Sequence, residues 1–474
     1  MSLKNILSTF LIMSLFLGSC TSKNTEQKAA INQFDGREKA EYDYAYSLGV
    51  QALVYGWAPV MMDVALELQT SVETPMSNGQ APINQFGPIT RLWDYRDRSY
   101  TTPNNDTYYL QGWVDVEEQP VVIYVPVIKN RYWMIQILDM YTESVVDLCN
   151  ATVGDKGGYF MLAKEGYTGK IPAGVPVFYT PTRYMWIAGR IGVNNEGDRE
   201  AKIARSIQSE FRMMTLNNYP KGGVQPEPLV QNNAPTVNFP NGLDWFNHLD
   251  KVLAENPLKK DSNILESYAY IGIGNGGTNK LPEVRKQALT EAFKDGFQII
   301  VDAAKYSSTA VNGWNWEYDA GKYGADYLQR AAVNMNSIGL NSPERAMYPK
   351  RYVDSEGVIL NGVNKYEITV PADMHVNTDI GGFWSITMYD AIDRFMVENE
   401  INRYKVGTIT DGLIPNDDGS ITIYISNVRP TDKKQLANWL PAPDADFMLQ
   451  CRLYEPQQDV VNGKFELPDL YRIK

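Results

Sequence analysis

Histidine is almost missing from this chain. Only His248 and His375 occur among its 474 residues, so a three-histidine zinc site is excluded, and a Ser-His-Asp triad would have to recruit one of these two. His248 sits in the helical-looking DWFNHLDKVL and His375 in the loop PADMHVNTD. Each reads as structural before functional, and His375 is the better candidate of the two for a ligand site. Cysteine is equally scarce: Cys20, Cys149 and Cys451, with no CxxC pair and no Cys/His cluster at zinc spacing. Cys149 and Cys451 read as two separate buried thiols, although an oxidising compartment would permit a bridge. No Rossmann glycine fingerprint and no P-loop appear, which leaves a dinucleotide or nucleotide phosphate unsupported. Positive charge is also short, with 44 Lys and Arg against 56 Asp and Glu and a net charge of -12. No general positive field is present to hold a phosphate backbone, so nucleic acid is not an expected partner.

What is present describes a well-packed protein. Hydrophobic residues make up 44% and aromatic residues 12%, which suits a folded chain of more than one domain. Residues 1–20 read as a signal segment: Lys4 supplies positive charge, Ile6 to Leu17 an apolar run, and Leu17-Gly18-Ser19-Cys20 resembles a bacterial lipobox. The run falls short of the roughly 20 apolar residues that span a bilayer. Cys20 is the expected lipidation site, residues 21–35 a flexible tether, and Thr21 in place of aspartate favours an outer-membrane lipoprotein facing the periplasm.

Periodicity divides the remainder. Residues 36–199 open with helix-forming sequence interrupted by Gly56 and Pro59, read as a kinked or paired helix, and continue in short strands such as PVVIYVP and YWMIQIL. Residues 200–345 form a helical connecting region, with apolar residues three and four apart, as in Val284, Ala288 and Ala292. Residues 346–474 return to strands in YEITVP, FWSITMYD and SITIYIS. The expected class is α+β. The strand blocks share a spacing: Val125-Pro126 precedes Trp133 and Val370-Pro371 precedes Trp384, and Asp139 and Asp390 each lie six residues beyond their tryptophan. On a strand that offset keeps both residues on one face, so each aspartate ends an apolar face, as a turn cap or at the rim of a cleft.

The chain resembles a known bacterial family through TPNNDTYY, a strand ending VP, RYWMIQILD, AGRIGV, GGFWSITMYD, DGSITIYIS, NWLPAP and CRLYEP, in that order. It is similar to the two-domain family whose halves are named domains of unknown function twelve-fifty-four and twelve-fourteen. The resemblance implies two jelly-roll-like antiparallel β-sandwich units with helical segments at the N-terminus and between them. It implies little about activity. The polar stretch from Val224 to Gly242 is either a departure from the family or a lid.

Candidate site residues cluster in TTPNNDTYYLQGW, residues 101–113. As a turn, its asparagines and aspartate bond their own backbone. As a site, Asn104, Asn105 and Asp106 project oxygens beside Tyr108, Tyr109 and Trp113, which suits a sugar ring or another polar organic molecule. Asp106, Tyr108 and Arg190 are the candidate catalytic residues; Asn104, Asn105, Trp113, Asp139, His375 and Asp390 are the candidate binding residues. Arg91, Arg96, Arg98 and Arg190 would recognise a carboxylate or sulfate if they converged. With histidine so scarce, acid–base chemistry falls to carboxylates and tyrosines. The cofactor is open: a divalent metal on oxygen ligands could sit at Asn104–Asp106 or at Asp417–Asp418, although no EF-hand pattern occurs and the latter reads as a hairpin turn. The leading expectation is an envelope lipoprotein enzyme, hydrolase or lyase, acting on a small polar organic or carbohydrate-derived substrate. The alternative is a non-catalytic lipoprotein that binds a glycan or assembles with envelope proteins. A homo-oligomer is left open.

Overall fold

The structure is a computed structural model that describes residues 35–98, 101–195, 197–223, 228–229 and 239–473. The signal segment, Cys20, nearly all of the tether and most of the stretch at 224–242 lie outside the described residues.

Helix α1 (Gly36–Thr70) begins at a capping box: the Asp35 side chain accepts from the Arg37 and Glu38 amides, both at 2.9 Å. It runs unbroken to Thr70, where the sequence led us to expect an interruption. Gly56 is a contact rather than a break, because a Cβ there would meet Leu249 at 2.5 Å. Pro59 has no amide to donate, so the Tyr55 carbonyl loses its helical partner. Arg330 replaces it, donating from Nη2 to Tyr55 O at 2.7 Å. α1 is apolar enough along part of its length to cross a membrane, yet 67% of that stretch is buried within the protein.

The first sandwich contains β1 (Phe86–Pro88), β2 (Thr107–Asp115), β3 (Val121–Val125), β4 (Trp133–Asp139), β5 (Ser144–Cys149), β6 (Gly158–Lys164), β7 (Val177–Thr180), β8 (Tyr184–Gly192) and β9 (Arg212–Thr215). One sheet runs β1-β2-β8-β4-β5 and the other β7-β6-β3-β9, with β6 and β7 parallel. Leu110, Ile135, Ile137 and Ile187 from the first sheet meet Val121, Ile123 and Leu162 from the second. Helix α2 (Asp198–Glu210) precedes β9, so this sandwich closes beyond residue 199.

Helices α3 (Gly242–Glu255), α4 (Glu283–Tyr306) and α5 (Tyr327–Asn336) pack with α1. Their core, with Trp57, Trp245 and Leu289, also takes in Trp113 and Trp186 from the outer face of the first sheet.

The second sandwich is built from β10 (Thr309–Val311), β11 (Trp314–Trp316), β12 (Ala346–Met347), β13 (Lys350–Arg351), β14 (Lys365–Val370), β15 (Phe383–Asp390), β16 (Lys405–Gly407), β17 (Ile421–Ser426), β18 (Trp439–Pro441), β19 (Phe447–Tyr454) and β20 (Tyr471–Ile473). The order β10-β11-β13-β19-β15-β16, with β12 also on β19, faces β18-β17-β14-β20. Trp384, Ile386, Leu449 and Leu453 fill the space between the sheets with Ile368 and Ile423. Two strands before residue 345, β10 and β11, therefore belong to the second sandwich. The architecture is α+β, and nearly all strand pairs are antiparallel.

Candidate functional site

Strand alternation gives each larger sheet a second face. In the first half Tyr109 and Met134 both stand opposite Arg190. In the second, Ser385 stands opposite Arg452, and Thr387 opposite both Gln450 and Lys405. The odd-numbered partners of the core residues on β15 and the even-numbered ones on β19 are thus turned away from the apolar interior. These faces meet. Tyr132, Met134 and Cys149 from the first half pack with Phe383 and Tyr454 from the second, and residues 101–106 lie across the joint.

Asp106 is completely buried there. Its Oδ1 lies 2.9 Å from Lys405 Nζ, and its Oδ2 accepts from Ser385 Oγ at 2.7 Å and Tyr454 OH at 3.0 Å. Asn104 locks the turn, accepting the Asp106 amide at 2.6 Å and donating to Tyr454 OH at 2.7 Å. Burial works against the Asp106 charge, but Lys405, Arg452 and the Ser385 hydroxyl outweigh it and hold the carboxyl below its usual range. Arg452 donates to Thr387 Oγ1 at 2.8 Å, to Thr102 O at 2.9 Å and to Tyr389 OH at 2.6 Å. This half of the joint is a satisfied network.

Arg190 is different. It is 6% exposed, donates from Nη1 to Gln136 Oε1 at 3.3 Å and bonds the Tyr109 side chain, and its Nε has no partner. Among the described residues it forms no ion pair with a carboxylate. Its guanidinium lies 5.3 Å from the centre of the Tyr109 ring. Burial opposes its charge, while the Tyr109, Tyr348 and Tyr132 phenols stand near enough to favour it and raise its pKa overall. Tyr132 is buried, and Tyr348 is the half-buried member at the rim. The Tyr348 phenol also feels Arg452 and Asp106, and burial pushes it up to about 12. The layer is therefore continuous from Arg190 to Asp106.

Glu455 borders the layer beside Tyr132. It is 2% exposed, has φ of +49°, pairs with Arg345 and leaves Oε1 without a partner. Burial pushes its carboxyl up to about 7 against the pull of Arg345. A non-glycine residue held in the left-handed region is stored strain, of the kind that collects at functional sites.

The fold joins Asp106 and Asn104 in one network, sets Arg190 apart from them in the same layer across Tyr348, and disperses the other candidates. Tyr108 turns into the first sandwich core, with Tyr109 taking the face that we had expected for it. Asn105 contributes its carbonyl to Lys405 and its side-chain amide to Trp93 O. Trp113 donates to Gln69 at 2.9 Å under α1. Asp139 caps the turn after β4, accepting the Tyr141 and Glu143 amides at 2.8 and 3.0 Å, and burial pushes it up to about 7. Asp390 caps the equivalent turn, accepting from Ile392 and Asp393. His375 pairs with Asp459 and rests on Phe465, away from the layer, and His248 pairs with Asp63. Arg91, Arg96 and Arg98 do not converge; they pair with Asp97, Asp94 and Asp393. Cys149 and Cys451 are both free. No group of three or more His, Cys, Asp or Glu able to hold a metal occurs among the described residues. Asp418 caps a turn on Ser420.

Two family models match the chain. One, described as protein of unknown function (DUF1254), covers residues 83–215, and the other, protein of unknown function (DUF1214), covers residues 345–458. The chain carries both domains, in that order. The DUF1254 segment coincides with the first sandwich, including β9, and the DUF1214 segment holds β12 to β19. The structure is similar to the crystal structure of the VPA0106 protein from Vibrio parahaemolyticus, at 27% identity and a TM-score of 0.68, covering 91% of this chain and 100% of that one. A protein from Burkholderia cenocepacia matches at 14% identity and a TM-score of 0.43, with coverage of 93% and 97%. No curated protein matches. Asp106 falls in the DUF1254 segment and Lys405, Arg452, Tyr454 and Glu455 in DUF1214, so the candidate site needs both.

Lys405, Arg452, Tyr454 and Glu455 are not singled out by the sequence, which gives Tyr109 only as an aromatic neighbour of Asn104–Asp106. CRLYEP held a signal: in a strand whose Cys451 and Leu453 face inward, Arg452 and Tyr454 must share the opposite face.

Proposed function

We propose that the layer around Arg190 binds a small organic molecule through a carboxylate, and that the protein is an enzyme of hydrolase or lyase type acting on that molecule. The observation that carries the reading is Arg190, a buried guanidinium that forms no ion pair among the described residues, bonds only neutral side chains, Gln136 and Tyr109, and keeps an orphaned Nε, with Asp147 as the acid near enough to feel its charge. An isolated buried ion costs several kcal/mol even after relaxation. A ligand carboxylate bonded to the guanidinium would offset that cost and fix the ligand's orientation. The Tyr109 phenol, which accepts from Arg190, can donate to the bound molecule, whereas Tyr348 and Tyr132 already donate to Asn341 and Met134; Glu455, its carboxyl pushed up to about 7, can take up or release a proton. Asp106 acts in this reading as a positioning residue, because its oxygens are engaged by Lys405, Ser385 and Tyr454. Entry is from the Tyr348 rim, with side-chain movement, since the layer is packed.

A non-catalytic glycan-binding role draws on a different observation. Tyr124 and Tyr159 are neighbours on the smaller sheet of the first sandwich with ring centres 5.0 Å apart, Tyr219 from the turn beyond β9 lies 5.1 Å from Tyr159, and Tyr159 is 37% exposed. Such rings can stack on a sugar. Lipidation of Cys20 and an outer-membrane position complete the proposal. Metabolic labelling with a radioactive fatty acid that is lost in Cys20→Ala would support them.

Thermal shift measurements separate the two roles. Wild type, Arg190→Gln and Tyr159→Ala would be titrated with small mono- and dicarboxylates, uronic acids and neutral oligosaccharides. A carboxylate that raises Tm in wild type and Tyr159→Ala, and fails with Arg190→Gln, supports the enzyme site and selects the compound for activity assays. A shift from neutral sugars that only Tyr159→Ala abolishes supports the second role. If no carboxylate shifts the wild type, Arg190 is a structural residue and the enzyme reading falls.

A further inference from the structure

A cationic group on the polar face of the second sandwich's larger sheet remains unused by that reading. Lys350 stands opposite Gln450 in the β13–β19 pair, so it shares the polar face with Gln450 and Arg452. The residue is 9% exposed, and its amine makes no hydrogen bond among the described residues. The nearest acid is Glu317, with Oε1 at 3.9 Å. Two acceptors around it, Glu317 Oε2 and Gln450 Oε1, are buried without a donor. Arg394, held at φ of +59°, has a guanidinium with no hydrogen bond or ion pair among the described residues, and its charge reaches both Lys350 and Tyr352. A lysine amine and two idle acceptors therefore stand together, with a free guanidinium near enough for its charge to reach the amine.

We propose that Lys350 is a nucleophilic amine that condenses with the carbonyl of a small 2-oxo acid whose carboxylate is held by Arg394. Burial lowers the amine's pKa, Glu317 opposes that shift, and Arg394 and Arg452 add to it. A larger share of the amine is thus neutral and able to attack. The nitrogen lone pair attacks the carbonyl carbon, the C=O π electrons move to oxygen, and one N–H proton passes to that oxygen, giving a carbinolamine. Loss of the hydroxyl together with the second N–H proton as water leaves the C=N bond. Glu317 is near enough to relay these protons, and Gln450 Oε1 can accept from the carbinolamine hydroxyl. The inference does not depend on Arg190.

The test is reductive trapping of the full chain with pyruvate and sodium cyanoborohydride at pH 7, followed by peptide mass mapping. Lys350 is expected to be labelled faster than Lys251 and Lys322, because its lowered pKa leaves a larger share of the amine neutral. Those two lysines have side chains 62% and 67% exposed, so they report labelling governed by access alone. Labelling of Lys350 no faster than theirs overturns the proposal. In Arg394→Gln the pyruvate adduct should fall several-fold while trapping of neutral acetone at Lys350 persists. Unchanged pyruvate labelling there overturns the assignment to oxo acids.

Discussion

The two sandwiches carry the same pair of strands with opposite electrostatics. In the first, Trp133 pairs with Ile191 and the next residue, Met134, with Arg190; in the second, Trp384 pairs with Leu453 and the next, Ser385, with Arg452. Each arginine lies near a tyrosine ring, Tyr109 at 5.3 Å and Tyr389 at 5.6 Å. Arg452 is bonded to Thr387, Tyr389 and Thr102, with the Asp106 charge nearby. Arg190, at the equivalent register, has Gln136 and Tyr109 and leaves Nε unpartnered. Equal backbone geometry thus supports a closed structural network in one half and an open valence in the other. Register thus specifies where a buried cation goes, and the neighbouring side chains decide whether it stabilises the fold or awaits a partner.

The comparison breaks first at the closed network. Lys405→Met leaves Asp106 buried without its cation, and should lower the unfolding free energy by about 3–5 kcal/mol, read by urea denaturation. In Glu455→Gln the expected effect is smaller and depends on pH. The Glu455 carboxyl is raised from 4.5 to about 7 on folding, so its contribution is fully present below pH 4.5 and is lost as pH rises through 7. About 3 kcal/mol is at stake at roughly 1.4 kcal/mol per unit. Wild-type Tm should therefore fall between pH 4.5 and 7.5, and the glutamine variant should fall less; Asp139, also raised to about 7, retains its own share of the slope. An equal slope in both proteins would remove Glu455 as a proton-carrying group.

Arg190→Met sharpens the contrast because it removes an unbalanced ion. Without ligand it should cost under about 1 kcal/mol or stabilise, whereas Arg452→Met, which strands Tyr389, Thr387 and the Thr102 carbonyl, should cost about 3 kcal/mol or more. Equal losses for the two arginines would show that Arg190 is as fully compensated as its counterpart. The smallest effect belongs to the turn caps: Asp390→Ala removes two hydrogen bonds in partly exposed surroundings and should cost about 0.5–1 kcal/mol by thermal melts.

The alternation of helical and strand blocks was legible because it is written in local periodicity, and the shared Trp-to-Asp spacing does keep each pair on one face. The continuity of α1 was not legible, since the donor that replaces the missing Pro59 amide is Arg330, far away in the chain. Asp106 could be picked out as a polar residue amid aromatics, but Tyr108 was chosen where Tyr109 faces the layer. A shift of one residue on a strand exchanges its faces, and only the pairing with β8 decides the matter. Lys405 and Glu455 gave no local signal. Their importance arises from burial against residues contributed by another part of the chain, as with Asn105 against Lys405 or Cys149 and Arg345 around Glu455.

Residues 101–106 belong by sequence to the first half, yet the Thr102, Pro103 and Asn105 carbonyls and the Asp106 carboxylate satisfy Arg452, Tyr389, Lys405 and Ser385 of the second. The two halves are consequently unequal in autonomy. During synthesis the first emerges with its crossing segment ready, while the second, when it follows, has a charged inner face that only that segment can neutralise. Excised by itself, the second sandwich would present bare cations and hydroxyls where a dry joint should be. The natural unit of folding, inheritance and engineering here is the pair.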